Sequence, residues 1–135
     1  AVRQACRGAQ LKLIIESGEL REPALIEEAS RIGLNEGVDF LKTSTGKTPL
    51  GATPEAARVM LQAIAAHPRG AVVGFKASGG VRTVADAQVY IDLVAEVLGP
   101  QAVCPARFRI GASGLLADVQ AVLAGGRSAS TPESY

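Results

Sequence analysis

The feature that most constrains the fold is a strand-like run followed by a helix-like segment, repeated four times along the chain. Each run is short, rich in apolar or β-branched residues, and ends in small or polar residues, as β-strands do. The predicted strands lie at residues 11–17, 38–44, 71–77 and 106–112. The predicted helices cover residues 23–36, a segment that starts at Thr53 and Pro54, the stretch from Thr83 to Gly99, and about Gly114 to Leu123. Strands that alternate with helices predict a parallel sheet covered by helices.

Two architectures contain such a sheet: an open, doubly wound sheet, and a (βα)8 barrel, whose complete form needs about 250 residues. The chain has 135 residues, so four βα units would form half of a barrel. No GxGxxG motif follows a predicted strand, which removes the main support for a dinucleotide-binding fold. The STGKT stretch lacks the first glycine of a P-loop, because Leu41 occupies that position. The sequence therefore does not indicate an ATP site.

Composition excludes several other classes of function. The net charge is +1, from 14 basic and 13 acidic residues spread along the chain, so no basic surface for nucleic acid is predicted. No apolar run approaches the roughly 18 residues that span a bilayer, so no membrane role is predicted. Cys6 and Cys104 form no CxxC pattern and are interpreted as buried, reduced thiols of a cytoplasmic protein. The single histidine, His67, is interpreted as a surface residue, so no metal site is predicted.

Two lysines occupy matching positions near the ends of neighbouring predicted strands. Lys42 precedes TSTGK and Lys76 precedes ASGGVR, and adjacent parallel strands lie about 4.8 Å apart. A nearby cation and partial burial both disfavour an ammonium ion, and a neutral lysine amine can attack a carbonyl to form a Schiff base. The alternative is that each lysine extends into solvent. Lys12, early in the first predicted strand, has either a role in the same site or a structural role in an ion pair.

Three loops of small residues follow predicted strands: TSTGK (43–47), SGGVR (78–82) and GASG (111–114). Each precedes a predicted helix, where backbone N–H groups and the helix dipole favour an anion. In complete barrels a phosphate site is frequently built from the last two βα loops. These loops therefore predict a phosphate site, with tight turns that bind no ligand as the alternative.

Four stretches, in this order, closely resemble the C-terminal half of deoxyribose-phosphate aldolase, a class I aldolase with a (βα)8 barrel. They are LKLIIESGEL, DFLKTSTGKTPLGATPEAARVM, VGFKASGGVRTVADA and RFRIGASGLL. The resemblance implies reversible cleavage of 2-deoxy-D-ribose 5-phosphate to acetaldehyde and D-glyceraldehyde 3-phosphate, in deoxyribonucleotide catabolism, without a metal or another cofactor. It implies that Lys42 forms the Schiff base, that Lys76 favours the neutral form of Lys42, and that Lys12 belongs to the proton network.

The resemblance also assigns the phosphate contacts and one residue of the tail. The implied phosphate contacts are Gly46, Lys47, Gly79, Gly80, Gly111 and Ser113. The family commonly has a serine where this chain has Gly114, so weaker phosphate binding is expected. A C-terminal tyrosine assists proton transfer in the family, which makes Tyr135 a candidate catalytic residue. The resemblance covers only the last four βα units of the family's barrel, and the family's catalytic aspartate lies in the first four. Glu16 and Asp39 are the nearest acids in the predicted strands, and neither matches that aspartate.

The predicted organisation is half of a barrel over residues 1–124, beginning with the end of a preceding helix, and a flexible tail over residues 125–135. The expected partners are a phosphorylated sugar, acetaldehyde and the N-terminal half of the same barrel, which full activity would require. One alternative is an isolated half-barrel that binds sugar phosphate, or forms a homodimer edge to edge, without turnover. Another is a different Schiff-base barrel enzyme, which the specific motifs disfavour.

Overall fold

The computed structural model describes residues 1–128. Its sheet consists of β1 (Lys12–Ile14), β2 (Phe40–Lys42), β3 (Gly74–Ser78) and β4 (Phe108–Gly111). The strands are parallel and lie side by side in chain order. The predicted parallel α/β sheet is therefore confirmed, with shorter strands than the sequence indicated.

The first strand is shorter because the backbone turns at Glu16, whose φ of 54° is left-handed. The N–H groups on either side of it, those of Ile15 and Ser17, still donate to the carbonyls of Lys42 and Thr43, each at 2.9 Å. Backbone hydrogen bonds to the neighbouring strand thus continue beyond β1, although the strand is no longer regular. The turn at Glu16 places its side chain near the end of β2.

Six helices accompany the sheet in the described part of the chain. They are α1 (Val2–Ala5), α2 (Ser17–Leu20), α3 (Pro23–Asn35), α4 (Pro54–Ala66), α5 (Val84–Leu98) and α6 (Leu115–Leu123), with a 3-10 turn at Pro100–Ala102. The predicted starts of α4 and α5 are confirmed: Thr53 Oγ1 accepts from the N–H of Ala56 at 3.2 Å, and Thr83 and Asp86 form a reciprocal capping box. The short α2 was not predicted.

The core lies between one face of the sheet and helices α3, α4 and α5. Leu41 and Phe75 extend from the sheet into this layer and are fully buried, as are Met60, Ile64 and Val94 from the helices. Because side chains alternate along a strand, the residues directly before and after Leu41 and Phe75 lie on the opposite face of the sheet. That second face carries the predicted lysines.

One minor expectation was wrong in part. Cys6 and Cys104 are free thiols but are only half-buried, because Cys6 ends the short α1 and Cys104 lies in the turn before β4. His67 is partly exposed in the turn after α4, where its Nδ1 accepts from the N–H of Arg69 at 3.1 Å. Within residues 1–128, no helix has both the length and the apolar character that crossing a membrane requires.

Candidate active site

The second face of the sheet holds a row of cations at the same height. Lys42 is the register partner of Lys76 on the neighbouring strand, and Lys76 is the partner of Arg109 on the next. Register partners in parallel strands extend to the same side and lie about 4.8 Å apart at the backbone. The structure therefore brings the two predicted lysines together and adds a guanidinium beside them.

This clustering changes the proton affinity of the lysines. Desolvation, and then the charges of Lys42 and Arg109, lower the pKa of Lys76. Desolvation also lowers the pKa of Lys12, followed by the charges of Lys76, Arg109 and Lys42. A lysine with a lowered pKa holds its proton less tightly, so Lys76 and Lys12 are suited to exchanging protons with a bound molecule.

Sequence reasoning missed Arg109. Its guanidinium carbon lies 4.5 Å from the ring centre of the buried Phe40, and the Lys12 ammonium lies 5.0 Å from the same ring. Arg109 also donates to the carbonyl of Pro105 at 3.2 Å and to the side chain of Gln10 at 3.3 Å. These contacts hold a permanent positive charge on the same face of the sheet as the lysines. The alternation of RFRIG places Arg109 on one face of its strand, but its alignment with Lys76 depends on the strand register.

Next to the lysines, the βα loops form an open cleft of about 470 Å³. All six predicted phosphate contacts line it: Gly46, Lys47, Gly79, Gly80, Gly111 and Ser113. The cleft wall also includes Arg82, whose charge was not assigned a role from the sequence, and Gly114. Its lining is rich in glycine and contains two cationic side chains, which is the composition expected of a site for an anion.

Glycine is favoured at several points of this cleft. Gly79 and Gly80 have φ values of 88° and 84°, a region that residues with a side chain rarely adopt. At Gly111, an added Cβ would lie 2.8 Å from Cε of Lys76 and 2.7 Å from Oγ of Ser78. The bare backbone at Gly111 therefore leaves room for the side chain of Lys76 beside β4.

Buried hydroxyl groups connect the first two loops beneath the cleft. Thr43 Oγ1 donates to the carbonyl of Ser78 at 3.1 Å and accepts from the N–H of Ser78 at 3.0 Å. Ser44 Oγ donates to the same carbonyl, and Ser78 Oγ donates to the carbonyl of Gly111 at 3.3 Å. These hydrogen bonds fix the ends of β2, β3 and β4 relative to one another, which keeps the cleft in shape.

The two strand-end acids have different surroundings. Asp39 lies at the opposite end of β2 from the cleft, where it accepts from Arg3 and from the N–H of Leu11, each at 2.7 Å. Its role is structural. Glu16 lies at the cleft end of the sheet and accepts hydrogen bonds from Thr45 and Thr48. Among residues 1–128, no group of three or more metal-ligating side chains comes together. Tyr135 lies outside the described residues.

Comparisons with known proteins agree on one family. Residues 1–121 match the sequence profile of the DeoC/LacD family of aldolases. The whole chain is 50% identical over 136 residues to the deoxyribose-phosphate aldolase of Agrobacterium fabrum (strain C58), covering 52% of that protein.

Solved structures show the same fold. A candidate deoxyribose-phosphate aldolase from Toxoplasma gondii ME49 superimposes with a TM-score of 0.80 over 94% of this chain and 51% of that one, at 23% identity, which bears on the fold alone. The aldolase QR15 gives a TM-score of 0.66 over 91% of this chain and 49% of that one, at 25% identity. The chain spans about half the length of the relatives it matches, and its sheet is half of a (βα)8 barrel. The chain belongs to the DeoC/LacD family of aldolases.

Proposed function

We propose that this chain carries the Schiff-base site of a deoxyribose-phosphate aldolase. In this proposal it cleaves 2-deoxy-D-ribose 5-phosphate reversibly to D-glyceraldehyde 3-phosphate and acetaldehyde, in deoxyribonucleotide catabolism in the cytoplasm. The observation that supports it most is the register pairing of Lys42 with Lys76 beside a glycine-lined cationic cleft. Amines next to an anion site suit a substrate that carries both an aldehyde and a phosphate group. A substrate with only one of these groups would use only part of the site.

In the proposed reaction, the neutral amine of Lys42 attacks the aldehyde carbon C1 of the open-chain sugar. A proton from a neighbouring lysine ammonium converts the hydroxyl of the resulting carbinolamine into water, and its loss leaves an iminium ion. The iminium ion accepts the electron pair of the C2–C3 bond when the C3 hydroxyl loses its proton. C3 becomes the aldehyde of glyceraldehyde 3-phosphate, and the two-carbon unit remains on Lys42 as an enamine. Protonation at C2 and addition of water then release acetaldehyde and restore the amine.

The proton transfers are assigned to the neighbouring lysines. Lys76 lies next to Lys42 in the sheet, and desolvation, followed by the charges of Lys42 and Arg109, lowers its pKa, so its ammonium gives up a proton more readily than an ordinary lysine does. Lys12 is coupled to Lys76 through their charges and is proposed to pass protons to it. The iminium ion itself accepts the electrons, so the proposed chemistry requires no metal or other cofactor.

The phosphate is assigned to the cleft that the loops after β2, β3 and β4 form. Lys47 and Arg82 contribute positive charge there, while Gly79, Gly80 and Ser113 offer backbone N–H groups at close approach. Binding the phosphate places the aldehyde end of the sugar toward the strand ends, where the lysines lie.

We further propose that full activity requires four more βα units, which would pair with the two outer strands, β1 and β4, and close the barrel. The chain alone is then expected to lack turnover. Its alternative behaviour is to bind sugar phosphate, or to associate with a second copy through the same strands, without cleaving the sugar.

A complementation assay tests this function. The chain is assayed for acetaldehyde release from 2-deoxy-D-ribose 5-phosphate alone, and again after coexpression with the part of the Agrobacterium fabrum relative that it does not match. We expect turnover only in the coexpressed sample, and none when Lys42→Arg replaces the natural chain. A stable complex of the two parts that forms no acetaldehyde would contradict the proposed function, and binding by the chain alone would then support the alternative.

A further inference from the structure

The carboxylate of Glu16 binds the loop that follows Lys42. The N–H of Thr45 donates to both carboxylate oxygens at 3.1 Å, and Thr45 Oγ1 donates to Oε2 at 2.6 Å. Thr48 Oγ1 lies 3.2 Å from Oε1 and 3.0 Å from the carbonyl of Leu50, and its one proton can serve either acceptor. The carboxylate of Glu16 therefore accepts from both donor groups of Thr45, which lies 29 residues away in the sequence. Hydrogen bonds to a charged acceptor are stronger than those between neutral groups.

The contact continues from Thr45 into the cleft. Thr45 Oγ1, while donating to Glu16, accepts from the N–H of Lys47 at 3.2 Å. This link spans Gly46, whose φ of 79° makes the turn between the two residues. Thr45, Gly46 and Lys47 line the cleft, and Glu16 is not among the described residues that line it. Glu16 therefore influences the cleft only through the loop that it binds.

The backbone conformation of Glu16 also serves this contact. A residue with a side chain rarely adopts φ near 54°, and doing so costs on the order of 1 kcal/mol. Glycine would adopt this conformation more readily, but it has no carboxylate. The N–H groups of its neighbours Ile15 and Ser17 donate to the carbonyls of Lys42 and Thr43, which fixes the position of Glu16 at the end of β2.

We propose that Glu16 is a positioning residue for phosphate recognition, acting through Thr45 to hold Gly46 and Lys47 in the shape that binds the phosphate of the substrate. The inference rests on the proposed function for the identity of that substrate. It assigns Glu16 no contact with the reacting carbons.

Binding of inorganic phosphate tests the inference without requiring turnover. Inorganic phosphate is titrated into the 15N-labelled chain, and the amide signals of the cleft glycines give its dissociation constant.

Thr45→Val breaks the link to Lys47 while keeping the charge of Glu16, and we expect it to weaken phosphate binding about tenfold. Glu16→Gln should do the same, and the double variant should be no weaker than either single one, because both act through one link. Thr45→Ser should restore binding, and Glu19→Gln, an exposed acid on α2, should leave it unchanged.

A kinetic comparison on the assembled enzyme separates positioning from general damage. For Thr45→Val we expect KM for 2-deoxy-D-ribose 5-phosphate to rise about tenfold, while kcat/KM for unphosphorylated 2-deoxy-D-ribose stays within about twofold. Equal losses on both sugars, or phosphate binding as tight as in the unsubstituted chain, would overturn the inference. Failure of acetaldehyde to form an adduct with the unsubstituted chain would instead contradict the proposed function, and the phosphate titration would still test Glu16.

Discussion

Lys42 and Lys76 are register partners on neighbouring parallel strands, and the pKa of Lys76 is lowered by its desolvation and by the charge of Lys42. Two ammonium ions held this close repel each other, so the cluster favours states in which fewer of its lysines carry a proton. This repulsion costs the folded protein some stability, and it makes Lys76 release its proton more readily than an isolated lysine does.

Replacing Lys76 with methionine is expected to shift adduct formation to higher pH. The variant keeps the shape of the side chain but removes the charge that disfavours a second ammonium ion nearby. At pH 7 we expect the rate of acetaldehyde trapping by borohydride to fall about tenfold, with most of the loss recovered on raising the pH. Trapping rates measured from pH 6 to 10 check this. Lys47→Met, in the phosphate cleft, is the matched control, and its trapping profile should not move.

The same Lys76→Met variant is expected to be more stable at neutral pH. A lysine whose pKa is lower in the folded state binds fewer protons there than in the unfolded chain, so it destabilises the fold below the folded pKa. This penalty disappears as the pH rises toward the unfolded value of about 10.4. We expect a gain of about 0.5 kcal/mol in the free energy of unfolding at pH 7, measured with urea, that vanishes near pH 11. A loss of stability at pH 7 would argue against desolvation of Lys76.

Removing the charge of Arg109 is expected to raise the pKa of both Lys76 and Lys12. Desolvation is the first cause of both shifts and should remain, but the contribution of Arg109 to each would be lost in Arg109→Gln. Titration of the lysine side chains by NMR checks the direction. Arg58→Gln, which breaks an exposed ion pair with Glu96, is the control and should leave both pKa values in place. If the pKa values of Lys76 and Lys12 were the same in Arg109→Gln, the charge of Arg109 would have no effect on these two lysines.

Gly114→Ser is expected to strengthen phosphate binding. Nothing lies within 4 Å of a Cβ added at Gly114, its φ is −93°, and it is the N-cap of α6, where serine is favoured. The hydroxyl would enter the cleft as a further donor for an anion, which we expect to lower the dissociation constant of inorganic phosphate about threefold to tenfold. Gly114→Ala tests whether the hydroxyl or the added volume of the side chain strengthens phosphate binding. Equal dissociation constants for the serine and alanine variants would show that the hydroxyl does not bind the anion.

Much of this site could be predicted from the sequence, because its signals are local. Thr53-Pro54 and Thr83 with Asp86 marked the starts of α4 and α5, and the loops after Lys42 and Lys76 marked the same end of neighbouring strands. Glu16 and Arg109 could not be assigned in this way. The role of Glu16 depends on a left-handed backbone and on a loop far along the chain, and that of Arg109 depends on the register of β3 with β4. Non-local geometry of this kind leaves no pattern within a short window of sequence.

The identity of the nucleophile is tested most directly by trapping and mapping the adduct. The chain is treated with acetaldehyde and borohydride, its intact mass is measured, and the modified peptide is sequenced. We expect a single added ethyl group on Lys42, absent in Lys42→Arg and retained in Lys47→Arg. An adduct on Lys76 or Lys12 with Lys42 unmodified, or an undiminished adduct in Lys42→Arg, would contradict the assignment of Lys42 as the nucleophile.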